Sequence, residues 1–119
     1  MSRKKPPGPR MTIPTQLVLR TLLAEPTREM YGLEICAGAG LPSGTIHPIL
    51  ARLEGLGWLE SRWEDIKPED EGRPRRRYYQ LTTDGAESAR TALAQATTQL
   101  PAILGGALRP ALRPAGGTA

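Results

Sequence analysis

The sequence predicts a mainly α fold with one small β-hairpin and a C-terminal helix. Three observations predict it. Ile46, Ile49, Leu50, Leu53 and Leu56 step by three, one, three and three, which puts all five on one stripe of a helix. Leu59, Ser61 and Trp63 alternate with Glu60, Arg62 and Glu64, and residues 75–81 alternate likewise, the period of paired strands. At 119 residues and 12.9 kDa, the chain supports one compact domain with tails rather than two.

Taken in order, residues 1–10 hold three prolines and the cations Arg3, Lys4, Lys5 and Arg10, the composition of a disordered basic arm. A first helix is expected over residues 15–24. Pro14 sits near its start, where a missing N–H is harmless, Leu19, Leu22 and Leu23 form its stripe, and Glu25-Pro26 ends it. A second is expected over residues 30–37 with Tyr31 and Ile35 on one face, followed by a break at Gly38, Gly40 and Pro42. Ser43 is the expected N-cap of the third helix, and Gly57 its closing C′ glycine. Pro48 cannot donate to the Gly44 carbonyl, a loss early enough to bend that helix rather than end it. After the strand around residues 59–63, residues 66–74 contain two prolines and Gly72 and read as a long hairpin loop. Thr82 then caps a fourth helix, with Asp84 in its first turn favouring the helix dipole. That helix is alanine-rich and interrupted near Leu100 by Pro101, and the Pro, Gly and Ala of residues 109–119 read as a disordered tail.

Projected at about 100° per residue, the face of the third helix opposite its apolar stripe carries Gly44, Pro48, Ala51 and Gly55. Thr45 and Arg52 flank this small-residue face on one side, His47 and Glu54 on the other. Such a helix can lie close against a groove, and it suits the major groove of DNA. Ser43, Thr45, His47 and Arg52 are the side chains expected nearest DNA. Thr45 has the chemistry for a thymine methyl or a phosphate, Arg52 for a guanine edge or a phosphate. The competing reading is an ordinary amphipathic core helix. Arg73, Arg75, Arg76 and Arg77 cluster around Pro74 at the hairpin, a pattern that tracks phosphates or enters a minor groove. The alternative there is a solvated charge cluster balanced by Glu64, Asp65, Glu69, Asp70 and Glu71.

The net charge of +4 belongs to the ends of the chain. Arg109 and Arg113 near the C-terminus and four cations in residues 1–10 leave ten basic against twelve acidic residues between them. DNA affinity in the folded body must therefore rest on local clusters. The single cysteine, Cys36, excludes an intrachain disulfide and a cysteine-rich zinc site, and reads as a small buried residue rather than a redox sensor. His47 has neither metal-ligating partners nor a nucleophile at a recognisable motif. No P-loop, dinucleotide fingerprint or nucleophile elbow is present, so no catalytic residue, metal or cofactor is expected. No apolar run approaches the length of a membrane span and no signal-peptide core is visible, which points to a soluble cytoplasmic protein with no membrane partner.

The string from Met30 to Gly57, with Trp58-Leu59-Glu60-Ser61-Arg62-Trp63, Gly72-Arg73-Pro74-Arg75-Arg76-Arg77-Tyr78-Tyr79-Gln80-Leu81-Thr82 and Gly85, resembles the PadR family of bacterial winged-helix transcriptional regulators. The resemblance covers residues 16–90. It departs at His47, where the family usually has tyrosine, and at Gly55, where a longer polar residue is common. It implies a winged helix-turn-helix plus a C-terminal helix, with the hairpin loop as the wing. The boundaries follow as a basic arm over 1–11, a DNA-binding domain over 12–82, a dimerisation helix over 83–108 and a tail over 109–119. It also implies a repressor that binds double-stranded operator DNA as a homodimer. Leu93, Ala96, Leu100, Ile103, Leu104 and Ala107 form a stripe for a partner copy, broken by Pro101 and Gly105-Gly106, and Leu17 and Val18 can add to it. Because some relatives bind aromatic effectors, Trp58 and Trp63 are candidates for a small-molecule effector pocket; covering the core at the base of the wing is the alternative. A winged-helix protein-interaction module is the competing function, and it should show a more apolar outward helix face than this one.

Overall fold

A computed structural model describes residues 8–97. Most of the expected basic arm, the stripe positions beyond Ala96 and the expected tail lie outside the described residues. Within them the order is α1 (Ile13–Ala24), β1 (Met30–Tyr31), α2 (Gly32–Ala39), α3 (Ser43–Gly55), β2 (Leu59–Trp63), α4 (Pro68–Glu71), β3 (Arg77–Leu81) and α5 over residues 83–97. The fold is the expected mainly helical one with a small antiparallel sheet.

Helix α1 starts earlier than its apolar stripe indicates because Thr12 caps it, the Thr15 N–H donating to Thr12 Oγ1 at 3.3 Å. Met30 and Tyr31, expected to begin the second helix, are instead extended and pair with Tyr79 and Tyr78 of β3. The helix begins at Gly32, two residues later than expected, because Glu34 reaches back, its Oε1 accepting the Tyr31 N–H at 3.1 Å. Ser43 is likewise not the cap of α3. It is the first helical residue, and the Pro42 carbonyl accepts from the Thr45 and Ile46 N–H groups. The far end of α3 closes as expected. Gly57 takes φ +80°, its N–H donates to the Glu54 carbonyl and the Trp58 N–H to the Leu53 carbonyl, each at 3.0 Å, a pair that satisfies two orphan carbonyls of the last turn. Thr82 caps α5, its Oγ1 accepting the Gly85 N–H at 2.8 Å.

The sheet runs β1-β3-β2. In the β2–β3 register Leu59 faces Leu81, Ser61 faces Tyr79 and Trp63 faces Arg77, so these six share one face, with Arg62 and Tyr78 on the other. Residues 66–74 are not wholly irregular, since α4 makes a single turn there and ends on Gly72 at φ +70°.

Val18, Leu19 and Leu22 of α1, Ile35 of α2, and Ile46, Leu50 and Leu53 of α3 form the buried centre, with Leu59, Leu81, Ala86 and Ala89 closing it from sheet and α5. Each large aliphatic side chain fully buried there contributes about 1.5–3 kcal/mol. Gly85 permits the closest approach, because a Cβ on it would collide with the Trp58 backbone carbonyl. Among the described residues, no helix is long and apolar enough to cross a membrane.

Candidate nucleic-acid interface

Burial of Ile46, Leu50 and Leu53 at 0% exposure fixes which way α3 faces. Gly44, Pro48, Ala51 and Gly55 consequently form an exposed ridge, and open space surrounds the positions a Cβ would occupy on Gly44 and Gly55. Four positions in a row with at most a methyl or a pyrrolidine ring let the helix backbone approach a surface closely. Of the side chains expected around it, Ser43, His47 and Arg52 are exposed and Thr45 is half-buried. The His47 ring lies over Gly32, with Cε1 3.3 Å from where a Cβ would stand. That contact ties α3 to the start of α2.

On one flank of the ridge stands the wing, and its arginines are engaged with the protein itself. Arg73 binds Glu64 through both terminal nitrogens, at 2.7 and 2.9 Å. The same carboxylate accepts the Arg76 backbone N–H at 3.1 Å, and the Glu64 N–H donates to the Arg76 carbonyl at 2.8 Å. The Arg73 guanidinium, helped by the Arg76 N–H, holds the Glu64 carboxyl down to about 2 from its usual 4.5. Arg75 donates to the Ile66 carbonyl at 2.9 Å, and Arg76 lies 4.1 Å from the Tyr31 ring centre. Arg77 donates to Ser61 Oγ at 3.1 Å, approaches Glu54 at 3.8 Å and covers Trp63 at 4.9 Å.

Of the acids expected to balance this cluster, Glu64 alone forms an ion pair with it; Asp65, Glu69, Asp70 and Glu71 form none among the described residues. Glu54, which the sequence places only as a flank of α3, turns out to join helix and wing, accepting from Ser61 Oγ at 2.6 Å as well as approaching Arg77. No local pattern marks that role, because Ser61 and Arg77 reach Glu54 only once the hairpin has folded back. On the outer face of the sheet Arg62 grips Glu29 through two bonds of 2.6 Å and covers Tyr78, whose ring meets Tyr31 edge-on at 5.7 Å.

Trp58 and Trp63 differ in their surroundings. Trp58 packs on the core beside Gly8, while Trp63 is 58% exposed at the far end of β2. The five steps from Trp58 to Trp63, most of them along β2, span at most roughly 16 Å at ~3.3 Å per residue. Trp58 covers the core as the alternative reading has it; Trp63 instead serves as a seat for Arg77. Cys36 is half-buried against the core, and among the described residues no group of three or more His, Cys, Asp or Glu is placed to hold a metal ion.

The model of the transcriptional regulator PadR-like family matches residues 18–91, more than half of the chain. No curated protein matches the chain. Among solved structures, the chain is similar to the PcaV transcriptional regulator from Streptomyces coelicolor in complex with its natural ligand, at 24% identity and a TM-score of 0.59, over 79% of this chain and 61% of PcaV. It is similar to a PadR family transcription regulator from Clostridium difficile R20291, at 22% identity and a TM-score of 0.59, over 82% of this chain and 99% of that one. Overoxidized AbfR bound to DNA matches at 24% identity and a TM-score of 0.54, over 86% of this chain and 74% of AbfR. At these identities the likeness carries the fold: the helices and three-stranded sheet form a winged helix.

Proposed function

The chain belongs to the PadR-like family of transcriptional regulators, which are not enzymes, and on that premise we propose that it is a repressor that recognises operator DNA as a homodimer. The observation that carries the reading is the exposed ridge of Gly44, Pro48, Ala51 and Gly55, backed by a fully buried apolar stripe. A major groove about 12 Å wide admits a helix whose outward side chains are this small. Ser43, Thr45, His47 and Arg52 then meet base edges or the phosphate rims, and Arg73, Arg75, Arg76 and Arg77 place the wing along the neighbouring backbone. AbfR, of the same fold, is bound to DNA in its structure. The ridge is flanked by the polar Ser43, Thr45, His47 and Arg52 and carries no large apolar side chain that would anchor a protein partner, and a regulator of this kind works in the cytoplasm.

A homodimer would present two α3 helices to half-sites about one helical turn apart. The C-terminal helix is the proposed seat of that contact. Ala89 of α5 is fully buried in the core, so a chain cut near Ser88 loses part of its own fold. A truncation after residue 97 tests assembly cleanly, and should sediment as a monomer with weaker DNA binding. An inducer, in this reading, acts by changing the separation of the two heads.

Ala51→Glu tests the groove assignment. Its side chain is solvent-facing, so the thermal melt should stay within about 0.5 kcal/mol of the parent. Binding to the duplex upstream of its own coding region should disappear in an electrophoretic shift, through bulk and through a carboxylate facing phosphates. Full affinity in a normally folded Ala51→Glu protein would overturn the reading.

A further inference from the structure

Opposite the wing, the second flank of α3 is built differently. The segment before α1 runs beside the helix, with Pro9 buried, and Pro9, Arg10, Thr12, Pro48, Ile49 and Arg52 line a cleft of about 290 Å³. No carboxylate lines it. The Arg10 and Arg52 side chains are both exposed, and neither has an ion pair or a hydrogen bond to another protein group among the described residues. Every wing arginine has such a partner or an aromatic seat. Two guanidinium groups beside one cleft, with no acid between them, create a positive potential that an anion relieves. Pro9, Pro48 and Ile49 supply apolar walls of the kind that suit a deoxyribose beside its phosphate.

The position of the cleft selects its occupant. Pro48 belongs both to the exposed ridge and to the cleft wall, so whatever fills the cleft lies at the edge of the groove that α3 enters. We propose that this cleft is a phosphate site for the DNA backbone at the groove edge away from the wing, with Arg10 a DNA-binding residue beside Arg52. The inference rests on the groove-binding reading of α3 and adds a second line of backbone contact to it. Arginine meets a phosphate with two parallel N–H donors, and here no internal ion pair has to open first.

The test uses the full chain and two duplexes of equal length, one from upstream of its own coding region and one of mixed sequence, titrated between 50 and 200 mM salt. Arg10→Ala should weaken binding to both alike. Losing one phosphate contact lowers the log–log salt slope by about 0.9, so the affinity ratio across the fourfold salt range shrinks about 3.5-fold, and about 12-fold for Arg10→Ala with Arg52→Ala. Arg10→Lys should keep most of the slope, because lysine also binds phosphate. Unchanged thermal melts show that folding is intact. An unchanged slope in the folded double variant would overturn the proposal, as would a loss confined to the operator duplex, which marks base reading. Ala51→Glu separates the two failures. If it abolishes specific binding while the double variant keeps its slope, the cleft assignment alone falls; if it binds normally, the groove reading falls and the cleft assignment with it.

Discussion

The two flanks of α3 both carry guanidinium groups, yet they hold them in opposite ways. In the wing, Arg73 is clamped on Glu64, Arg75 on a backbone carbonyl, Arg76 on Tyr31, and Arg77 between Ser61, Glu54 and Trp63. Beside α1, Arg10 and Arg52 are exposed and unpaired among the described residues. The wing spends much of its charge on its own shape and gains a fixed geometry. The α1 flank keeps its charge available but unconstrained. A count of cations in a sequence is thus not a count of phosphate contacts.

The wing holds its geometry only if its root is rigid, and disrupting that root should cost the most stability. Gly85→Ala drives a methyl into the Trp58 carbonyl, which also accepts the Thr82 N–H at the end of β3. Denaturant unfolding should show a loss of about 3 kcal/mol, the upper end for overpacking a tight site. Parental stability in that variant would mean the root yields and the wing is not rigidly held. Next in size is the salt response of the wing itself. Replacing Arg75, Arg76 and Arg77 together by alanine should lower the slope, but by less than about 0.9 per residue, the value for a fully committed phosphate contact. A full decrement for all three would erase the distinction between the flanks.

The Glu64 clamp has a signature in its own titration. The Glu64 carboxyl is held to about 2 in the folded chain against 4.5 when free. A depressed carboxyl stabilises above its unfolded value and loses that contribution as pH falls from about 4.5 towards 2. Carbon-detected NMR should place the Glu64 midpoint near 2 and move it back towards 4.5 in Arg73→Ala. A normal midpoint in the parent would show the clamp to be open in solution. Smallest of all, Trp63→Ala removes an exposed ring beneath Arg77 and should lower stability by about 0.5–1 kcal/mol, while freeing Arg77 and steepening the salt slope slightly. Loss of several kcal/mol would reveal a packing role that its 58% exposure does not indicate.

What could be read from the chain follows the range of the forces involved. The faces of α3, the alternation of β2 and β3, the Gly57 closure and the Thr82 cap all arise within a few residues, and each appears in the structure as expected. Met30 and Tyr31 escaped because their partners are Tyr79 and Tyr78, and a two-residue strand has no period of its own. Ser43 misled because a serine before an apolar run looks like a cap whether or not its hydroxyl meets an N–H. For the candidate site, the exposed positions on α3 were legible, whereas the engagement of the wing arginines was not. Glu64 meets Arg73, and Glu54 meets Arg77, only after the hairpin has closed. Arg10 belongs by composition to a disordered arm, and nothing in residues 1–10 shows that Pro9 is buried and seats it beside Arg52.

The Glu64 clamp also divides the wing into a neck and a tip. With the Glu64 N–H on the Arg76 carbonyl and the Glu64 carboxylate on Arg73, the chain is tied across the hairpin before residues 65–72 begin their excursion. Chain inserted beyond such a tie reaches the sheet only through closure entropy, which grows by about 0.6 kcal/mol for each doubling of loop length. The tip is therefore a cassette position: a peptide epitope or a labelling tag placed between Asp70 and Glu71 should leave the hairpin register and α3 undisturbed, giving the molecule a reporter beside its proposed DNA surface.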